Sequence, residues 1–115
     1  MIYIIDHNDS FTFNVVHQFS KFDEVICDNY DRVNNDILEK ASSIVLSPGP
    51  GNPKNYPKSS KIYKKYKGKK RIIGICLGFQ QILYNEGAKI VEQKNIYHGF
   101  QSEIKVTNHS KIFNN

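Results

Sequence analysis

The chain has 115 residues, enough for one hydrophobic core and too few for two domains. Its 39% hydrophobic and 23% charged residues exclude a disordered or fibrous chain, and no apolar run approaches the ~18 residues that cross a membrane. The formal net charge is +5, and the two cysteines, Cys27 and Cys76, are too few for a disulfide framework and suit a reducing compartment as free thiols.

MIYIID at the start is an apolar run ending at an acid, as a strand buried on both faces would be. It lacks the basic start and small-residue cleavage site of a signal peptide, so a cytoplasmic location is expected. Asp9 or Ser10 is placed to cap a helix from Phe11 to about Lys21, with Phe11, Val15, Phe19 and Phe22 near helical spacing. EVICD reads as a second strand, and RVNNDILEKAS as a short helix with Val33, Ile37 and Leu38 on its apolar face. SIVLS is a third buried strand, and it runs into PGPGNP, where no regular element can form. A lysine-rich helix is expected from Tyr56 to Tyr66. RIIGI is a fourth strand, LGFQQILYNEG a helix stopped by Gly87, and AKIVEQ and SEIKVT two further strands.

Between Lys54 and Arg71 the chain carries basic residues and no acid. No nucleic-acid motif accompanies the run, and Tyr63 and Tyr66 fit a packing stripe, so the run reads as a solvated helix face. Neither a nucleic-acid nor a membrane partner is expected.

Strand and helix alternate, and the strands are apolar runs, which predicts a mostly parallel, doubly wound α/β sheet covered on both faces. There are no repeats and no linker, so residues 1–115 form a single domain. Chemistry in such sheets sits at the carboxyl ends of the strands, and three unusual segments fall there.

In Gly74-Ile-Cys-Leu-Gly78, small residues two before and two after Cys76 are what a sharp strand-to-helix turn needs around a nucleophile. A helix N-terminus offers unpaired N–H groups and a partial positive charge, which favour the thiolate form of a cysteine in general. The backbone N–H of Leu77 is the natural oxyanion donor. On this pattern alone, a nucleophile and a buried structural thiol fit Cys76 equally. In Ser47-Pro-Gly-Pro-Gly-Asn-Pro53, prolines stiffen a loop whose glycines let backbone approach a ligand; it is not a P-loop, since no Gly-Lys-Ser/Thr follows. The third segment is Asp6-His-Asn-Asp-Ser-Phe-Thr-Phe-Asn14.

Together and in this order, these segments resemble the class I glutamine amidotransferases. Within that family they resemble the amidotransferase subunits of anthranilate and aminodeoxychorismate synthases. The first is similar to the subgroup's Asp-Asn-x-Asp-Ser-Phe-Thr-x-Asn signature, LSPGPGNP to its second motif, GICLGFQ to its nucleophile motif, and His98-Gly99 falls where the subgroup has such a pair. The resemblance implies a flavodoxin-like fold with Cys76 attacking the side-chain amide of glutamine. It implies Leu77 and Gly51 as backbone oxyanion donors, with Gly49, Pro50, Gly51 and Gln80 lining the substrate site. It implies no cofactor or metal in this subunit. The ammonia would pass to a chorismate-binding synthase subunit, separate or fused, of tryptophan or folate formation.

Two departures stand out. Phe79 occupies a position where the subgroup usually has histidine. The family's general base is a histidine two residues before a glutamate, and none of His7, His17, His98 and His109 is followed at that distance by a glutamate. His109-Ser110 does not match the family's Tyr-His-Ser segment, because Asn108 precedes it. The chain is therefore expected to be the N-terminal part of such a domain, ending about two-thirds of the way along ordinary sizes of ~150–200 residues. Two rival readings stay open: a non-catalytic module that binds a synthase partner, and an unrelated cysteine hydrolase with the same kind of turn.

Overall fold

A computed structural model describes residues 1–92, 101–108, 110 and 111. Its elements in chain order are β1 (Ile2–Asp6), α1 (Thr12–Phe19), β2 (Val25–Asn29), α2 (Asn35–Lys40), β3 (Ser43–Leu46), a 3-10 turn (Pro53–Asn55), α3 (Pro57–Tyr66), β4 (Arg71–Gly74) and α4 (Leu77–Asn85). The strands form one parallel sheet in the order β2-β1-β3-β4. This is the expected flavodoxin-like winding, with the topological switch point between β1 and β3.

The core lies on both sides of β1 and β3. On one face Tyr3, Ile5, Ile44 and Leu46 pack with Leu38 of α2 and Tyr66 of α3. On the other, Ile2, Ile4 and Val45 pack with Val15 of α1. The alternation of one strand's side chains between two buried faces is why these runs are apolar throughout. Tyr3 is the polar exception: its hydroxyl donates to Asp28 and accepts the Asn34 N–H at 2.9 Å, which ties β1 to β2 and to the cap of α2. Burial is the main reason its phenol is pushed up to about 12.

The solvated reading of the basic run holds for α3. Tyr63 and Tyr66 are buried, while Lys58, Lys65 and Lys67 pair at the surface with Asp31, Glu39 and Glu86. No helix among the described residues is long and apolar enough to cross a membrane.

Several expectations are corrected. Neither Asp9 nor Ser10 is the N-cap of α1; that position is Phe11, which makes no side-chain capping bond. Asp9 Oδ2 accepts from the Phe11 N–H at 2.8 Å one residue early, and Asp6 Oδ1 holds Thr12 Oγ1 at 2.8 Å. Phe11 and Phe22 are 63% and 83% exposed, because both lie outside the helical turns whose stripe they extend. AKIVEQ and SEIKVT form no strand over 88–92 and 102–107. Val91 and Ile104 in them are exposed, and a strand needs both a paired neighbour and a face to pack on. Coverage of the sheet is also uneven: Ile73 of β4, in register with Val45 on the α1 side, is 42% exposed. His98-Gly99 and His109 lie outside the described residues.

Candidate active site

The site is built where β1, β3 and β4 end. Cys76 follows β4 and is the N-cap of α4, with φ 52° and ψ −110°, a left-handed conformation that non-glycine residues rarely adopt. Its carbonyl accepts the Gln80 N–H at 3.0 Å, the first bond of α4. A Cβ on Gly74 would come within 2.4 Å of the Gly78 carbonyl oxygen, and one on Gly78 within 2.0 Å of the Leu46 carbonyl oxygen. The two glycines that frame Cys76 are thus a steric necessity of the turn, as their spacing predicts. Ile75 N–H donates to the same Leu46 carbonyl at 3.0 Å, pinning the turn to the end of β3. Cys76 is exposed, which removes the buried structural thiol as an account of it. The Leu77 side chain is buried while its N–H donates to no group among the described residues.

The loop after β3 (47–52) forms a wall packed against α4. Gly49 has no room for a side chain: a Cβ would sit 2.5 Å from His7 Cβ and 2.8 Å from Leu77 Cδ2, so the wall touches the first residue of α4 directly. Gly51 has φ 81°, and its N–H also donates to nothing among the described residues. Asn52 and Asn55 cap each other reciprocally just beyond it, and Tyr56 donates its hydroxyl to the Pro50 carbonyl at 2.6 Å. A cavity of about 890 Å³ is lined among others by Gly51 of this loop and Pro53 just beyond it, by Gln80 and Tyr84 of α4 and by residues 88–92, and Cys76 is not among its lining residues. That volume is within the range of small-molecule sites.

Of the site residues predicted from sequence, Cys76, Leu77, Gly49, Pro50, Gly51 and Gln80 are therefore gathered on the wall loop and the first turns of α4. Phe79 is 54% exposed on the first turn of α4, away from the buried face.

Two buried residues that support the wall were missed. His7 is fully buried at the end of β1. Its Nδ1 lies 3.1 Å from the Ser47 carbonyl, which can only accept, so Nδ1 carries the proton and Nε2 accepts from the Ser59 hydroxyl at 2.8 Å. Burial pushes this imidazole below its ordinary 6.5, against the opposing pull of the Ser47 hydrogen bond and Asp6. Gln81 is the other, donating from α4 to the Pro53 and Tyr56 carbonyls. Spacing carried a signal for it: Leu77 and Gln81 are four residues apart, one column of the helix beside the column of Cys76 and Gln80.

The sequence matches the family described as "Glutamine amidotransferase class-I" over residues 3–115. It is 38% identical over 115 residues to "Anthranilate synthase component 2" of Lactococcus lactis subsp. lactis (strain IL1403), covering 99% of this chain and 58% of that protein. It is 34% identical over 108 residues to "Aminodeoxychorismate/anthranilate synthase component 2" of Bacillus subtilis (strain 168), covering 91% and 56%. With "Bifunctional protein TrpGD" of Thermotoga maritima it shares 36% identity over 108 residues, 90% of this chain and 18% of that larger protein. The chain thus spans 58% of the length of the component 2 relative from Lactococcus. The glycine-framed turn, the proline-glycine wall and a match over nearly the whole sequence lead to one conclusion: this chain belongs to the class I glutamine amidotransferase family.

Proposed function

We propose that this chain carries the nucleophile-bearing part of a glutaminase that supplies ammonia to a chorismate-using synthase. Cys76 Sγ attacks the side-chain carbonyl carbon of glutamine. A C–S bond forms, the C–N bond breaks, and the thiol proton leaves on nitrogen as ammonia. Water then cleaves the glutamyl thioester to glutamate and restores the thiol. Leu77 and Gly51 offer their free N–H groups to the oxyanion, and Gly49, Pro50 and Gln80 line the glutamine site. The ammonia goes to a chorismate-binding synthase subunit, either a separate chain or one fused to this one, for anthranilate or aminodeoxychorismate formation. The names of the component 2 relatives support that partner.

The observation that carries the reading is the strained backbone of Cys76 on a turn whose flanking glycines admit no side chain. Family membership sets aside the unrelated hydrolase. The test is modification by the diazoketone analogue of glutamine, mapped by peptide mass spectrometry. The expected result is an adduct on Cys76 that excess glutamine suppresses. Cys27 is also a free thiol, but burial pushes it up to about 11, so suppression of the Cys76 adduct by glutamine is the deciding readout. Labelling of Cys76 that is indifferent to glutamine would overturn the proposal.

A further inference from the structure

Gln81 is fully buried, yet it keeps a primary amide in a place where a leucine would meet no polar obligation. Its Nε2 has two hydrogens for three acceptors, Ser60 Oγ at 2.5 Å and the Pro53 and Tyr56 carbonyls, both at 3.3 Å, so one N–H is shared. Asn85 backs the cluster, donating to Ser60 Oγ at 3.1 Å and to the Gln81 carbonyl at 2.7 Å. Gln81 Oε1, in contrast, is buried without a partner among the described residues. An unsatisfied buried acceptor destabilises a fold, so this side chain is a poor choice for packing alone. What it does make is a set of bonds from α4 to both ends of the 3-10 turn that closes the wall loop.

The wall therefore meets α4 at two places. Gly49 abuts Leu77 at the near end, and the Pro53–Tyr56 stretch is tied to Gln81 one turn further along. Gly51 lies between these anchors in the chain, and it lines a cavity together with Gln80. The Gln81 bonds add a second attachment of the wall to α4 beside the Gly49 contact.

We propose that Gln81 is a positioning residue that clamps the wall loop to α4 and so holds the Gly51 amide in place over the Cys76 turn. The inference rests on the reading of this cleft as a glutamine site. Gln81→Leu removes the clamp while keeping bulk. The test compares two rate constants for modification of Cys76, one with the diazoketone analogue of glutamine and one with iodoacetamide, which needs no wall. In Gln81→Leu the analogue rate is expected to fall about tenfold or more, as misplacement of a binding group does, with the iodoacetamide rate unchanged within about twofold.

An unchanged analogue rate overturns the inference, and so does an equal fall with both reagents, which would place the effect on the cysteine turn itself. Gln81→Met, which keeps an unbranched side chain of similar length and likewise cannot donate, is expected to act in the same direction, and it decides the matter if Gln81→Leu does not fold. The wild-type protein separates the two claims: absence of glutamine-suppressed labelling there overturns the glutamine site itself, whereas normal wild-type labelling with an unaltered variant overturns only the clamp.

Discussion

His7 joins an ordinary side chain to the placement of the wall. Its neutral imidazole satisfies one donor and one acceptor, the Ser59 hydroxyl and the Ser47 carbonyl, with no charge to solvate. Because burial lowers its affinity for protons in the folded state, the unfolded chain binds more protons as pH falls through 6.5. The stabilisation is complete above that value and is lost as pH falls toward the lowered folded value. Urea unfolding at about pH 7.5 and about pH 5.5 is expected to show the wild type losing stability on acidification. His7→Asn is expected to flatten that loss and to cost about 1–3 kcal/mol at the higher pH, where the two serine groups lose their partner. Sequence inspection did not single out His7, because a histidine just beyond an apolar strand looks the same whether it faces solvent or the core.

Among the elements, the strand–turn–helix unit around Cys76 was the most legible, since its requirements are steric and fall at fixed offsets. Gly78 makes the point: its missing Cβ leaves room for the Leu46 carbonyl that also pins Ile75. Gly78→Ala is expected to destabilise the protein by more than about 3 kcal/mol, beyond ordinary overpacking because the obstacle is backbone. Thermal or urea denaturation checks this, and a near-neutral effect would mean that the turn is looser than described. Legibility failed where an apolar pattern lacked a partner. AKIVEQ and SEIKVT have strand-like composition, but composition cannot supply the neighbouring strand or the opposing layer on which a strand depends. The helix stripe of α1 failed at its ends for a related reason: Phe11 and Phe22 keep the spacing while the backbone has already left the helix.

For the molecule as a whole, the winding followed from the alternation of elements, and it brings three distant segments to the carboxyl ends of the strands. Coverage of that sheet did not follow. Val45 and Ile73 are in register on the same face, yet one is fully buried and the other 42% exposed. Val45→Thr is expected to cost about 1–3 kcal/mol, because it buries a hydroxyl without a partner. Ile73→Thr is expected to cost less than about 0.5 kcal/mol. Paired urea melts test the difference, and equal costs would show that Ile73 is as enclosed as its neighbour.

In the proposed reaction the Cys76 turn and the wall loop together hold the glutamine carbonyl. A crystal structure of the protein modified by the diazoketone analogue tests it most directly. The analogue is expected to be bonded to Cys76 Sγ, with its carbonyl oxygen about 2.7–3.1 Å from the N–H groups of Leu77 and Gly51. An adduct whose oxygen points to solvent, or one in which the wall has no contact with the analogue, would contradict it.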